Sequence, residues 1–564
     1  MCGIWLLIYN NKKAKNNNDY LNDTKNFWNT KNRGPDNSTL ITFSNTCIGF
    51  HRLAIMDNNI SSNQPYILHD DKNLKTIIFI ANGEVYNYRE LDKKYNLNIK
   101  NSDCLTIPKL YNLMIEKYGD QGINKWLDMF KDEIKGEFAF CLLEFDSLKN
   151  LQKIITGRDQ IGIRPLYYHE PTKDSTKILF TSELKGGLDF KDSLEEFPPG
   201  HIFIYEPDIF TNLSKTEFNF RNYYVESIID SDANYLKNIR ESVINSVKRR
   251  LNSDRPKAFL LSGGVDSSLI AGIASKLLKE PLNTFCCGMD GATDFKYARK
   301  VADYIKSNHT EVVFTKEDGL NAIKDVIYAT ETWDVTTIRA SVGQYLISKY
   351  ISEKTDCKVV MVGEGPDEVC SSYLFNFYSP EDELHSTALE YVDKIHLFDG
   401  RRSDRCIANY GLEGRVPLLD PEFIRAYWSI PQEKRHPNYK NMEKWWLREA
   451  FNNLNVLPDE VLWRKKEAFS DGVSSKKESW FETLQNHIDS IIDDNFTPYK
   501  YNNIVTTTKE SYYYMKIFIE IFGEKRVSVI PHYWQPKWLE DGTKNDFKEY
   551  LDPSARTLSV YKTD

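Results

Sequence analysis

The chain has 564 residues, a net charge of −8 and 27% charged residues. With 41% apolar residues it can bury a large core over several domains. The acidic balance argues against a nucleic-acid partner, and no apolar run is long enough to span a bilayer. The nine cysteines are odd in number and include no C-x-x-C pair, which argues against a disulfide framework or a zinc site. No secretory apolar segment follows Met1, so the expected setting is reducing and cytoplasmic. Small anionic substrates then need local cations, so Arg and Lys inside motifs are informative.

The chain opens Met1-Cys2-Gly3-Ile4-Trp5. Once Met1 is removed, Cys2 carries both a thiol nucleophile and an α-amine that can act as its base. Ile4 to Tyr9 reads as a buried strand that fixes this terminus in a sheet. Asn10 to Asn18 reads as a solvated loop. Asn32-Arg33-Gly34-Pro35-Asp36 is a turn with a cation, and Phe50 to Asp57 sets Arg52 beside an apolar strand. Ile77 to Ala81 reads as a strand running into Asn82-Gly83-Glu84, where Asn-Gly is a strong hairpin signal. Asp103 follows in a short polar stretch. A helix is expected over 107–118, and strands over 136–146, 151–158, 178–182 and 201–205. This pattern alone indicates an α+β domain.

These motifs, with the Arg158 to Tyr168 segment, resemble class II glutamine amidotransferases. The resemblance implies the four-layered αββα fold of N-terminal nucleophile hydrolases over residues 2–205. It implies that Cys2 attacks glutamine. Arg52 would hold the α-carboxylate by its guanidinium fork, with Leu53, Ala54, Ile55 and Met56 completing that wall. Glu84 and Asp103 would take the α-ammonium. The Asn82 side-chain amide and the Gly83 N–H would hold the oxyanion. Lys31-Asn32 departs from the Arg-His common before Arg-Gly-Pro-Asp, which points to altered loop closure.

Residues 206–230 read as a polar linker, and 231–564 as a second domain. A helix is expected over 235–251. An apolar run, Ala258 to Leu261, then meets Ser262-Gly263-Gly264-Val265-Asp266-Ser267-Ser268 and a helix-like run to Leu278. A strand, a glycine turn and a helix start in that order make a phosphate cradle. No lysine follows the second glycine, so this is not a P-loop. Asp266 stands where a P-loop has a cation, which makes sense with Mg²⁺ between carboxylate and phosphate. Strands over 283–287, 311–314 and 358–362 alternate with helices over 294–307 and 319–331. Alternation predicts an α/β parallel sheet, with ligands at the carboxyl ends of its strands. Leu261, Cys287 and the run Val362-Gly363-Glu364-Gly365-Pro366-Asp367 mark three such ends.

The Ser262 to Ser268 loop resembles the pyrophosphate motif of ATP-pyrophosphatase synthetases. With Val335 to Ser341, Gly363 to Glu368, Glu413 to Asp420 and Trp463 to Gly472, the order resembles the glutamine-hydrolysing asparagine synthetases of class B. The resemblance runs from Cys2 to about Gly472, and more weakly beyond. It implies L-glutamine, L-aspartate and ATP as substrates and Mg²⁺ as cofactor. Ammonia freed from glutamine would meet β-aspartyl-AMP through a sheltered passage, giving asparagine, AMP and pyrophosphate. Leu261, Ser262, Gly263, Gly264, Ser267, Ser268, Cys287, Val362 and Gly363 would hold the nucleotide. Asp266 and Asp367 would share the metal, Arg339 and Lys466 would stabilise phosphate charge, and Glu364 would assist amination or adenylation. A homodimer is compatible with this reading.

Val362 departs from the common Ser, Pro366 from Ser or Ala, and Gly414 from Ala. Cys370-Ser371-Ser372-Tyr373 stands where Phe-Gly-Gly-Tyr is common. The charged residues survive while their packing drifts, which predicts retained chemistry with altered ATP affinity. The competing readings are an ammonia-dependent synthetase, a β-lactam synthetase-like enzyme and a degenerate binding protein.

Overall fold

The computed structural model describes residues 1–9, 24–70, 74–100, 102–172, 177–190, 194–206, 214–466, 472–474, 479–501, 504–529 and 533–545. The Asn10 to Asn18 tract and residues 467–471 lie outside them. The chain divides into two compact units, Met1–Asn222 with Ala408–Leu412, and Tyr223–Ile407 with Glu413–Asp564. Among the described residues no helix is long and apolar enough to cross a membrane.

Among the described residues the first unit holds twelve strands: β1 (Gly3–Tyr9), β2 (Asn37–Phe43), β3 (Thr46–Arg52), β4 (Tyr66–Asp70), β5 (Lys75–Val85), β6 (Gly136–Phe145), β7 (Leu151–Arg158), β8 (Tyr167–His169), β9 (Lys177–Thr181), β10 (Glu195–Glu196), β11 (His201–Tyr205) and β12 (Lys215–Asn219). They form two six-stranded antiparallel sheets, ordered β10-β8-β9-β1-β3-β2 and β12-β11-β7-β6-β5-β4.

Side-chain alternation along the strands makes the layers. Ile4, Leu6 and Ile8 of β1 share one cluster with Ile78 and Ile80 of β5 and Ala139, Cys141 and Leu143 of β6. The alternate residues Phe79, Ala81, Phe140 and Leu142 pack on Ile107, Leu110, Trp126 and Phe130 from helices Thr106–Tyr118 and Gly122–Asp132. β1 is buried along its whole length, so its outer face is covered too. Trp5 Nε1 donates to Gly186 O at 2.9 Å, and its ring meets Phe27. These partners lie on short 3-10 turns, Lys25–Arg33 and Leu184–Gly187. The expected αββα order is present, with a thin helical layer on that side among the described residues.

Two local expectations differ. Asn82-Gly83 is not a hairpin turn: both residues lie inside β5, paired with Ala139 and Phe138 of β6. A Cβ on Gly83 would stand 2.0 Å from Glu137 O, so only glycine lets the strands approach there. The 206–230 stretch is also more than a linker, since β12 pairs with β11 within it.

The second unit carries the parallel sheet: β13 (Lys257–Leu260), β14 (Asn283–Gly288), β15 (Asn308–Val313), β16 (Val359–Met361) and β17 (Glu413–Arg415), ordered β15-β14-β13-β16-β17. Every neighbouring pair is parallel. Strand order reverses at β13, so a crevice opens beyond the carboxyl ends of β13 and β16. β17 lies inside Glu413 to Asp420, a motif stretch in which no strand was expected. The aromatic helix Lys509–Phe522 is core: Tyr514, Phe518 and Phe522 are buried.

Candidate active sites

In the first unit β1 delivers Cys2 beside the end of β3. The Leu53 N–H donates to Cys2 Sγ at 3.5 Å. Arg33 Nε donates to Cys2 O at 2.9 Å, and its Nη1 pairs with Glu183 at 2.7 Å. Gly34 makes room, since a Cβ there would meet His51 C at 2.2 Å. Met1 is buried, with its sulfur against Arg33 and Arg164.

Arg52 is buried, and its fork is set by three acceptors. Nη1 donates to Asn59 O at 2.8 Å and Asn63 Oδ1 at 2.7 Å, while Nη2 donates to Asp57 O. Ala54 N–H donates to Asp36 Oδ2 at 2.8 Å, which ties the following loop to the Arg33–Asp36 turn. Ile55 is buried and Met56 half-buried.

A second cluster forms at the end of β5. Asp103 Oδ2 accepts from Val85 N–H at 2.6 Å, and Cys104 Sγ donates to Gly83 O at 3.2 Å. Glu84 is buried here as well. Tyr66 lies between the clusters: burial pushes its hydroxyl well up, while charges at Asp103 and Arg52 act on it in opposite senses. Asn82 is fully buried, and among the described residues neither its Nδ2 nor its Oδ1 has a hydrogen-bond partner. Burying an amide unpaired costs free energy, so such a group marks a place where a ligand completes the bonding.

The second unit contains a cavity of about 490 Å³ at the carboxyl ends of β13, β14 and β16. Leu261, Ser262, Gly264, Asp266, Ser267, Cys287, Arg339, Gly363, Glu364, Asp367 and Lys466 all line it. The loop before helix Val265–Leu277 is ordered by its own hydroxyls. Ser262 Oγ and Ser267 Oγ are 3.0 Å apart, and Gly264 N–H donates to Ser262 Oγ at 3.3 Å. Gly263 has φ +76°, and a Cβ there would meet Tyr297 Cβ at 2.4 Å. Gly363 lets β16 approach the helix start, where a Cβ would be 2.7 Å from Ser267 N.

Four predicted residues make contacts that the sequence did not show. Val362 N–H is taken by Arg415 O at 3.1 Å, a bond into β17. Ser268 is buried, its hydroxyl has no partner among the described residues, and it does not line the cavity. Arg339 closes its fork on Glu510, Nε to Oε1 at 2.8 Å and Nη2 to Oε2 at 2.6 Å, so its charge is met inside the protein. Cys287 Sγ donates to Gly343 O at 3.3 Å, and burial pushes its thiol up to about 12, which leaves it an inert wall.

The charge centre is a residue absent from the sequence reading. Lys444 Nζ lies 2.6 Å from Asp367 Oδ1 and bonds Asp266 Oδ2 as well. Lys466 Nζ lies 2.6 Å from Asp367 Oδ2, over the Tyr373 ring. Burial alone would raise Asp367, yet these two ammonium groups hold its carboxyl well below the usual carboxylate range. Burial pushes Asp266 up while Lys444 opposes it, and Asp266 Oδ1 has no hydrogen-bond partner among the described residues. Lys444 itself sits in the left-handed region at φ 56°. Backbone strain of this kind collects at functional sites.

Across the cavity Glu364 Oε1 accepts from Gln344 Nε2 at 3.2 Å and from Arg402 Nη2 at 3.4 Å. Arg402 also meets Asp399 at 3.2 Å. Burial raises the Glu364 carboxyl and Arg402 counters it. Gln344, Asp399, Arg402 and Lys444 were missed because they lie outside the glycine-rich motifs, the first three among ordinary helical residues and Lys444 in the turn before helix Trp445–Phe451. No spacing rule marks them.

A thiol-bearing antiparallel sandwich joined to a parallel sheet with a phosphate cradle defines a class: an amidotransferase unit paired with an ATP-dependent synthetase unit. Family comparison agrees. Residues 1–204 match the glutamine amidotransferase domain, and residues 238–397 and 379–543 match asparagine synthase. The chain is 38% identical over 595 residues to asparagine synthetase [glutamine-hydrolyzing] of Gallus gallus, spanning 100% of this chain and 99% of that protein. It is 37% identical over 598 residues to the Mus musculus protein of that name and 36% over 595 to the Homo sapiens one, with the same coverage. The chain belongs to the glutamine-hydrolysing asparagine synthetase family.

Proposed function

We propose that each half-reaction is carried by the side chains described above. In the first unit, once Met1 is removed, the Cys2 thiol attacks the glutamine amide carbon with its own α-amine as base. The orphaned Asn82 amide and the Gly83 N–H take the oxyanion, ammonia leaves, and water cleaves the thioester. Arg52 binds the α-carboxylate, and Glu84 and Asp103 bind the α-ammonium. Leu53 N–H keeps the sulfur in place.

In the second unit the β-carboxylate of aspartate attacks the α-phosphorus of ATP, and pyrophosphate leaves. The amides at the start of helix Val265–Leu277, with Ser262 and Ser267, receive phosphate oxygens. Lys444 and Lys466 bring positive charge to the same place. Ammonia then displaces AMP from β-aspartyl-AMP, with Glu364 placed to take its proton. Asp266 and Asp367 would hold Mg²⁺. The unpaired Asp266 Oδ1 and two carboxylates turned toward one cation position suit a hard ion that takes its other ligands from phosphate and water. When bound, the ion neutralises charge on the leaving pyrophosphate.

That convergence of Asp266 and Asp367 on one cation, beside the phosphate loop, is the observation that carries the reading. The acidic balance of −8 supports small-molecule partners rather than nucleic acid. A homodimer and a cytoplasmic setting complete the proposal. The test is ATP–pyrophosphate exchange requiring both aspartate and Mg²⁺, followed by transfer of amide label from glutamine into the asparagine side chain. Glutamine cleavage without any exchange would sink it.

A further inference from the structure

The Cys370-Ser371-Ser372-Tyr373 stretch replaces a common Phe-Gly-Gly-Tyr, and the two serines are not equivalent. Ser371 holds φ 53°, whereas Ser372 is not among the positive-φ residues. Backbone geometry therefore accounts for glycine at the first position and leaves the second free. Ser372 is fully buried, and its Oγ donates to Asp367 Oδ1 at 2.5 Å. Its N–H also donates to Asp367 O at 2.9 Å. Asp367 lies on the four-residue helix Pro366–Val369. So short an element holds a side chain weakly, and a carboxylate turns readily about its last bond. Two bonds from one residue fix both ends of Asp367.

We propose that Ser372 is a positioning residue of the synthetase site: its hydroxyl orients the Asp367 carboxylate toward the divalent cation that accompanies ATP. This inference rests on the reading of Asp367 as a metal-holding group. Lys444 also reaches Oδ1 and Lys466 reaches Oδ2. Both are long and flexible, and both are called toward phosphate when nucleotide binds. Ser372 stays, because its backbone is tied to Asp367. A partner behind a metal-holding carboxylate sets its direction, and losing it typically lowers metal affinity. A glycine at 372 supplies no such donor.

The test uses the full chain with Ser372→Ala, Ser372→Gly and Ser372→Thr. The Mg²⁺ requirement is read from aspartate-dependent ATP–pyrophosphate exchange. Binding is read separately as Mn²⁺ uptake by electron paramagnetic resonance, with a non-hydrolysable ATP analogue. The Ala and Gly variants should need roughly 10-fold more Mg²⁺ and bind Mn²⁺ correspondingly weaker. The Thr variant, which keeps the hydroxyl, should restore both. Glutamine hydrolysis should not change in any of them. Ala and Gly variants with unaltered Mg²⁺ requirement and Mn²⁺ uptake overturn the inference. Asp367→Asn separates the two readings. Normal exchange and Mn²⁺ uptake there would remove Asp367 as a metal-holding group. A dead Asp367→Asn beside wild-type-like Ser372 variants would overturn only the role of Ser372.

Discussion

The Lys444 ammonium lies 2.6 Å from Asp367 Oδ1, almost fully buried at the mouth of the phosphate loop. Two carboxylates, Asp266 and Asp367, face this one cation. Without it they repel each other across a poorly solvated gap, and incoming phosphates meet bare negative charge. Lys444→Met should lower ATP–pyrophosphate exchange by about 100-fold, the scale of one lost transition-state donor. Lys444→Arg should not restore it, since a planar fork cannot replace a point charge between two oxygens. Glutaminase activity should persist in both. Exchange surviving at the wild-type rate in Lys444→Met would remove Lys444 from the chemistry.

Asn82 offers a cleaner separation of function from stability. Its amide is buried, and both polar atoms lack partners. An ordinary buried asparagine loses stabilising bonds when truncated; this one has none to lose. Asn82→Ala should therefore leave the melting temperature unchanged or slightly raised. It should also cost about 100-fold in glutaminase kcat, with a smaller change in KM. A large drop in stability with intact kcat would show that the residue serves the fold instead.

Much of this architecture was legible in the sequence, for identifiable reasons. Continuous apolar runs marked the strands around Ile4, Ile78 and Phe140, because both faces of those strands are buried. The phosphate loop was legible because Gly263 and Gly363 answer steric demands that no other residue meets. β17 was not legible: three residues, Glu413–Arg415, are too few to show a period. Asn82-Gly83 misled because its turn signal is local, while pairing with β6 is set by a strand more than fifty residues away. Arg339 shows a related limit: it lines the cavity, yet its motif gave no sign that Glu510, on a helix remote in sequence, meets its fork. Lys444 and Arg402 left no signal, since a lone cation, in a turn as at Lys444 or in a helix as at Arg402, is usually solvated.

Ser371 pays a backbone cost that its neighbour does not. At φ 53° its backbone is in the left-handed region, and its buried hydroxyl has no partner among the described residues. Ser371→Gly relieves both, against a modest gain in unfolded-chain freedom. The net expectation is a small stabilisation, raising the melting temperature by roughly 2 °C. Kinetic parameters for aspartate should hold. Differential scanning calorimetry decides the matter, and a lower melting temperature would mean that the serine makes a compensating interaction in solution.

His51 gives the first unit a defined acid response. It is fully buried, stacked on Phe27 with ring centroids 3.9 Å apart, and bonded at Nδ1 to Ser38 Oγ and at Nε2 to Phe27 O. Burial lowers its pKa to about 4, so the folded chain keeps the ring neutral where the unfolded chain takes up a proton. The sign follows from linkage. Above pH 6.5, its ordinary value, neither state binds the extra proton and the contribution to stability is complete. Between that pH and about 4 the unfolded state binds more protons, so stability falls by up to about 1.4 kcal/mol for each pH unit. Below about 4 the loss from this group levels off. His51→Gln keeps a polar side chain of similar reach and cannot titrate. Melting curves from pH 7 to pH 4.5 should show the variant less stable at neutral pH and converging on the wild type as the pH drops. Parallel curves for the two proteins would mean that the ring protonates freely in the folded state.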